Sequence, residues 1–193
     1  MHTANRRGFT LVEVMIAVMV IGIMAAMAIP AFRPNVAAQL DATTRIVASD
    51  LAQVRQLALA NNTKYRLTFD LTENRYYLEH SGTNAALNTL PPTIYPNPAN
   101  TATRQYFDLD LLPNLGPGVR LSRVQAMAST PATITTLEFG PLGSTTQPAE
   151  TVVWLACGDG DSLLYAPVRI NAVIGLAQAG DLDGTGPIAA SGS

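Results

Sequence analysis

One acidic side chain, Glu13, lies near the start of an otherwise apolar run of the sequence. A carboxylate in a membrane helix is costly, by about 2.5–3.5 kcal/mol at the bilayer centre and less near its edge. A cationic group nearby would neutralise it by ion pairing. The run follows the basic pair Arg6 and Arg7, then Gly8 and Phe9. This junction is the strongest candidate for a functional site.

Residue types that serve in catalysis are sparse elsewhere. The two histidines are His2, before the apolar run, and His80, at the end of a predicted strand. The sequence shows no glycine-flanked nucleophile motif, phosphate-binding loop or metal-ligand spacing. We therefore expect no enzymatic activity and no cofactor. Cys157 is the only cysteine, so it cannot form an intrachain disulfide and is expected to be a small buried apolar residue.

Two acidic loops could hold a hard cation. One contains Asp159 and Asp161, and the other contains Asp181 and Asp183. Calcium takes about six to eight oxygen ligands, and neither loop has the distal glutamate that completes a calcium loop. Aspartate next to glycine is also a common turn former. The four aspartates are therefore weak calcium candidates, and turn formation is the simpler interpretation.

The apolar run extends over residues 9–32, where Thr10 and Glu13 are the strongly polar side chains. About 20 apolar residues suffice to cross the hydrocarbon core of a bilayer as a helix. Two arginines precede the run, whereas Arg33 alone follows it closely, so the positive-inside rule places the amino terminus in the cytoplasm. The sequence predicts a single-pass membrane protein whose carboxyl-terminal domain is exported.

Two plainer interpretations of this run are open. A secretory signal peptide would use Ala26-Met27-Ala28 as its small-residue cleavage site, but the apolar residues continue to Phe32 and an acidic side chain lies near their start. An uncleaved anchor would also fit the length of the run. It gives no reason for Gly8 or Glu13.

The junction resembles the processing site of type IV prepilins and pseudopilins. That family has a short basic leader ending in glycine, followed by phenylalanine, threonine, leucine, a variable apolar residue and glutamate. This chain shows the same order in Gly8, Phe9, Thr10, Leu11, Val12 and Glu13. The likeness is specific, because residue identity, spacing and hydrophobic context all agree.

The resemblance implies that residues 1–8 form a cleaved leader. A membrane-embedded prepilin peptidase would cut between Gly8 and Phe9 and methylate the Phe9 nitrogen. Cleavage would create an α-amino group four residues before Glu13, and residues i and i+4 share one helix face. The amine and the carboxylate could then pair within one chain or between neighbours. Glu13 would guide assembly with other pilin-type subunits, starting from the lipid of the inner membrane.

The segment after the apolar run predicts a second helical stretch. Pro30 and Pro34 should kink or break the helix, because each removes a backbone donor and crowds the preceding turn. Apolar residues then recur at three- and four-residue steps and predict an amphipathic helix over about 36–60. The two stretches together predict a long amino-terminal helix, with a transmembrane half and an amphipathic half that belongs to a domain over 33–193.

Beyond that helix the hydrophobic period changes to two. Alternation from Tyr65 to Leu71 and again from Arg75 to Glu79 predicts a hairpin. Further strands are expected near 106–111, 119–125, 132–139, 151–157 and 163–178, with an irregular loop over about 81–103. A helix followed by hairpin-spaced strands predicts an α+β, pilin-like fold with antiparallel sheet.

The outer region resembles the H-type minor pseudopilin and FimT group. The similar segments are 51–58, 139–143 and 168–175. The likeness implies a structural subunit of the periplasmic pseudopilus of a type II protein secretion system. Its helix would lie in the inner membrane and its domain in the periplasm. A minor pilin of a type IV pilus, serving adhesion, motility or DNA uptake, is the alternative, and a membrane-anchored exported enzyme is a weaker one.

The charge of the chain argues against a nucleic-acid partner. The formal net charge is −2, and loss of Arg6 and Arg7 with the leader lowers it to −4. Some FimT-like pilins contact DNA through an arginine-rich element after the glycine that follows the last strand. Here Gly175 is followed by Asp181 and Asp183 and by no arginine. Because phosphate binding depends on clustered lysine and arginine, DNA binding is not expected.

Overall fold

The computed structural model of the chain describes residues 10–28, 35–93, 97–112 and 118–188. The chain divides into two units, residues 1–35 and residues 36–193. The first unit contains helix α1, Leu11–Ala28. Glu13 lies in its first turn, and its large apolar side chains from Leu11 to Met24 are exposed on every side of the helix.

The second unit begins with helix α2, Val36–Ala60. Its apolar positions recur at three- and four-residue steps, so they share one face, and that face is buried. Leu40, Val47, Leu51, Val54 and Ala58 are each no more than 1% exposed. The buried hydroxyl of Thr44 is satisfied inside the helix, where it donates to the Leu40 carbonyl at 2.6 Å. The helix ends where Asn62 adopts a left-handed conformation, with φ 47°.

Strands follow α2 throughout the described part of this unit. In chain order they are β1 Tyr65–Asp70, β2 Arg75–His80, β3 Gln105–Asp108, β4 Val119–Ala126, β5 Ala132–Thr133, β6 Thr136–Phe139, β7 Thr151–Cys157, β8 Leu164–Ile170 and β9 Ala177–Ala179. They form a four-stranded sheet in the order β3-β2-β1-β6 and a five-stranded sheet in the order β5-β4-β7-β8-β9. Neighbouring strands in both sheets are antiparallel.

The α+β class predicted from the sequence, with a helix packed on antiparallel sheet, is confirmed. Helix α2 packs against strands of both sheets, and the core forms between its apolar face and the inward side chains of β1, β2, β4, β6, β7 and β8. The β1–β2 hairpin is present, with Tyr65 opposite His80 and Asp70 opposite Arg75. Cys157 belongs to this core and is 2% exposed, as expected for a small apolar residue.

Three of the predicted strands are wrong in extent. The segment 132–139 is two short strands in different sheets, because the chain crosses between the sheets at Ile134 and Thr135. There Ile134 N donates to the Val124 carbonyl, whereas Phe69 N donates to the Thr135 carbonyl. The predicted strand 106–111 gives way after Asp108 to a 3-10 turn, Leu109–Leu111, capped by the Asp108 side chain.

The third error lies in the segment predicted as one strand over 163–178. Strand β8 ends at Ile170, and a turn separates it from β9. The Asn171 side chain accepts hydrogen bonds from Val173 N and Ile174 N, at 2.9 and 3.1 Å. Gly175 then takes a left-handed φ of 63°, which glycine adopts without steric cost. Local turn chemistry thus overrides the apolar character of the segment.

The segment over 81–103 is largely irregular in its described residues, with one 3-10 turn at Ala85–Asn88. One hydrogen bond closes the segment on itself, and another joins its middle to β3. Leu90 N donates to the Ala102 carbonyl at 2.9 Å, and the Gln105 side chain donates to the Pro91 carbonyl.

Candidate functional site

Helix α1 begins with a capping interaction directly after the predicted cleavage site. The Glu13 backbone N–H donates to Thr10 Oγ1 at 3.2 Å, and Val14 N donates to the Thr10 carbonyl at 3.2 Å. Threonine followed three residues later by glutamate is a known helix-start pattern, because the threonine oxygen satisfies an amide that has no partner within the helix. Thr10 therefore fixes the first helical residue as Leu11. The capping role of Thr10 was not predicted, although its three-residue spacing to Glu13 is itself the signal.

Glu13 is exposed in the first turn of α1. An acidic residue is favourable there, because the helix amino terminus carries partial positive charge. Within the described residues, the Glu13 carboxylate forms no ion pair. It is surrounded by exposed apolar side chains, among them Val12 and Ile16. The carboxylate is therefore available to a cation from outside this helix.

Several predicted site residues lie outside the described residues. They are Gly8 and Phe9 at the cleavage site, and Pro30 and Pro34 at the expected kink. Cleavage, methylation and the kink stay predictions.

Within the described residues, no helix is both long enough and apolar enough to cross a bilayer. The predicted segment, residues 9–32, includes residues that the structure does not describe.

One aspartate in each acidic loop has its carboxylate in contact with another residue. Asp159 Oδ1 is 3.7 Å from Arg120 Nη1. Asp183 Oδ1 accepts from the Thr185 hydroxyl at 2.7 Å and from Thr185 N at 2.8 Å, and these bonds, the hydroxyl first, lower the pKa of Asp183. Asp161 and Asp181 are exposed. The described residues contain no group of three or more histidine, cysteine, aspartate or glutamate side chains placed to hold a metal.

His80 joins three segments of the domain. Its Nε2 is 2.9 Å from Thr63 Oγ1, and its Nδ1 is 2.8 Å from Asn88 Oδ1. These contacts tie the end of β2 to the start of β1 and to the 3-10 turn in the 81–103 segment. Gly82 has no room for a side chain, since a Cβ there would collide with the Thr63 hydroxyl. A structural role explains this histidine, and its partners could not be recognised from the sequence.

A buried acid–phenol pair was also missed. Asp50 lies on the buried face of α2, and Tyr76 Oη donates to Asp50 Oδ2 at 2.5 Å. Removal from water raises the pKa of Asp50 to about 6, although the hydrogen bond from Tyr76 opposes the shift. Burial, with Asp50 beside it, raises the pKa of Tyr76 well above its ordinary value. The pair could have been suspected from the sequence, because Asp50 lies among the apolar positions of an amphipathic helix.

Comparison with known proteins identifies the amino-terminal segment. Residues 3–29 match the family described as the prokaryotic N-terminal methylation motif. No curated protein gives a significant match to this chain.

Two solved structures resemble the fold at a low level. Both are of the type IV minor pilin FimU of Pseudomonas aeruginosa strain PAO1, in space groups P21 and P65. The first has a TM-score of 0.48 and 12% identity, over 78% of this chain and 93% of FimU. The second has a TM-score of 0.45 and 13% identity, over 77% of this chain and 97% of FimU. Likeness at this level assigns no activity.

Proposed function

We propose that this chain, which its methylation motif places in the type IV pilin and pseudopilin superfamily, is a minor structural subunit of a type II secretion pseudopilus. Prepilin peptidase removes residues 1–8 and methylates Phe9. Residues 9–32 hold the subunit in the inner membrane, with the amino terminus in the cytoplasm and residues 33–193 in the periplasm. The subunit then joins a filament with other pilin-type subunits.

The observation that carries this proposal is Glu13, exposed in the first turn of a capped apolar helix. Cutting after Gly8 leaves Phe9 as the new amino terminus, four residues before Glu13. The two groups then lie within one helical turn of each other along the chain. A neighbouring subunit's amine can reach the exposed carboxylate in the same way. Cleavage thus supplies the cation that Glu13 lacks within the described residues.

The surface of α1 favours the same interpretation. Its apolar side chains are exposed all around the helix, for example Leu11 at 75% and Met19 at 70%. A helix that is apolar on every side needs cover from lipid or from other helices. We propose that lipid covers it before assembly and that neighbouring α1 helices cover it in the filament.

The periplasmic domain acts as a scaffold in this proposal, without enzymatic activity, cofactor or DNA binding. Its basic side chains on the four-stranded sheet are already paired. Lys64 and Arg66 lie 3.3 and 3.2 Å from Glu138, and Arg104 lies 3.3 Å from Glu79. A phosphate backbone would have to compete with these carboxylates.

Replacing Glu13 with leucine should separate processing from assembly. The Glu13→Leu subunit should still be cut and stay in the membrane, since insertion no longer carries the cost of a charge. It should cross-link to partner subunits at least about tenfold less, as expected when an ion pair worth about 1.4 kcal/mol is lost. Val14→Leu in the same turn is the matched control. Wild-type cross-linking by Glu13→Leu would refute the pairing mechanism.

The identity of the cross-linked partners tests whether the chain belongs to a type II secretion system or to a type IV pilus. Cross-linking of the tagged wild-type chain in its native cells, followed by mass spectrometry, should recover type II secretion pseudopilins. Loss of the gene should reduce protein secretion. Recovery of type IV pilus subunits alone, with secretion intact, would instead make the chain a minor pilin of a pilus.

A further inference from the structure

On the outer face of the five-stranded sheet, away from the core, the central strand β7 presents a buried row of side chains. All seven residues of β7 are buried. Successive residues of a strand point to opposite faces, and only Val153, Leu155 and Cys157 of β7 belong to the core cluster. Val152, Trp154 and Ala156 are 0%, 5% and 1% exposed. Something other than the core must therefore cover this second row.

The end of the described chain, Asp183–Ile188, lies across this row and is here called the C-terminal strap. At one end, Tyr165 N donates to the Asp183 carbonyl at 2.8 Å, and Asp183 N donates to the Tyr165 carbonyl at 2.7 Å. At the other end, the Ile188 carbonyl accepts from Gln125 Nε2 at 2.8 Å and from Arg123 Nη1 at 3.2 Å. Gln125 lies opposite Val152, and Arg123 lies opposite Trp154. The strap thus crosses the sheet from β8 to β4, over β7.

Gly186 of the strap packs closely against the Tyr165 ring. It is buried and left-handed, with φ 68°. A Cβ at this position would lie 2.7 Å from Cε2 of the Tyr165 ring. Gly184, two residues earlier, is exposed, and a Cβ there would meet nothing within 4 Å. A side chain is therefore excluded at Gly186, whereas Gly184 has room for one.

The strap lies outside the hydrophobic core of the domain. None of its residues belongs to the core cluster. Hydrogen bonds at both of its ends, together with the packing of Gly186, hold it to the sheet. Beneath it, Trp154 Nε1 and Gln125 Oε1 have no hydrogen-bond partner within the described residues, and a buried polar group without a partner lowers the stability of the closed arrangement. Opening the strap would hydrate both groups and leave the core intact.

We propose that the outer face of the sheet is a binding site for an extended segment, here called the slot. Its ligand is the chain's own C-terminal strap, which can dissociate and bind again while the domain stays folded. Gln125 and Arg123 bind the strap carbonyl at one end of the slot. The backbone of Tyr165 binds the other end, and Trp154 forms part of the apolar floor. This proposal does not depend on the proposed filament function, because every contact lies within residues 119–188.

The chain contains one tryptophan, so Trp154 fluorescence reports directly on the strap. In the full chain in detergent, Gly186→Val should shift the emission to the red. It should raise quenching by acrylamide about threefold, as expected when local opening exposes a buried ring. Gly184→Val is the matched control and should leave both signals unchanged. Equal quenching in the wild type and in Gly186→Val would overturn the proposal.

A second measurement tests whether the slot can bind a strap peptide after the strap has been removed. A chain ending at Leu182 should keep its sheet circular dichroism but show an exposed Trp154. A synthetic peptide of residues 183–193 should then restore the protected emission in a saturable manner, whereas the same peptide with Gly186→Val should not. Loss of the fold on truncation would overturn the proposal, because the strap would then be an inseparable part of the domain. A folded truncated chain that the peptide cannot protect would overturn it too.

Discussion

Replacing Gly8 with valine should leave the chain as uncut precursor. The peptide bond to be cut lies between Gly8 and Phe9, and the backbone there must come close to a catalytic site at the membrane surface. A branched side chain at Gly8 would hold the backbone away. We expect cleavage to slow by at least about tenfold, which corresponds to about 1.4 kcal/mol in the activation barrier. The measurement is the ratio of precursor to mature chain on an immunoblot, with termini identified by mass spectrometry.

Gly22→Val is the matched control for this experiment. Gly22 lies within α1, and a Cβ there meets nothing within 4 Å, so the same substitution changes side-chain bulk without touching the cleavage site. The control should be processed normally. A mature Phe9 terminus formed at the wild-type rate in Gly8→Val would show that the small residue is not needed for cleavage.

Asp50 should make the domain more stable in mild acid than at neutral pH. Burial raises the pKa of this carboxyl from 3.8 to about 6 in the folded chain, so the fold favours its neutral form. The stabilisation is fully present below about pH 3.8 and is lost as the pH rises through about 6. A shift of this size corresponds to about 3 kcal/mol in the free energy of unfolding over that window.

The variant Asp50→Asn removes this titration and keeps the size of the side chain. Urea unfolding at several pH values between 4 and 8 should show a much smaller loss of stability with rising pH than in the wild type. Asp41→Asn is the control, because Asp41 lies on the same helix in an exposed pair with Arg45, at 3.0 Å. Equal pH dependence in Asp50→Asn and in the wild type would show that Asp50 does not titrate in this range.

The elements found from the sequence are those encoded by local patterns. The three- and four-residue period of α2 and the alternation around the β1–β2 turn need no knowledge of distant residues. The wrong strand predictions lie where the local sequence pattern does not show that a strand ends or changes sheet. The segment 132–139 looks like one strand until Ile134 and Thr135 are seen to pair with different sheets. Asn171 and Gly175 could have been recognised as a turn, since both are common turn residues.

The functional junction was easier to find than the contacts within the domain. Glu13 is conspicuous because a charge in an apolar run is costly, and the surrounding residues match a known motif. The Asp50–Tyr76 pair and the contacts of the strap join residues that are far apart in sequence. Tyr76 and Asp50 are 26 residues apart, and Ile188 and Gln125 are 63 apart. Only the folded chain brings them together.

The mature amino terminus tests the central claim most directly. The wild-type chain, isolated from the membranes of its native cells, should give an amino-terminal peptide that begins at Phe9 and carries one methyl group on its nitrogen. Mass spectrometry of that peptide needs no variant. It also does not require knowing whether the subunit belongs to a secretion system or to a pilus. A chain that retains Met1–Gly8, or that begins after Ala28 as a signal-peptidase product would, would contradict the assignment as a processed filament subunit.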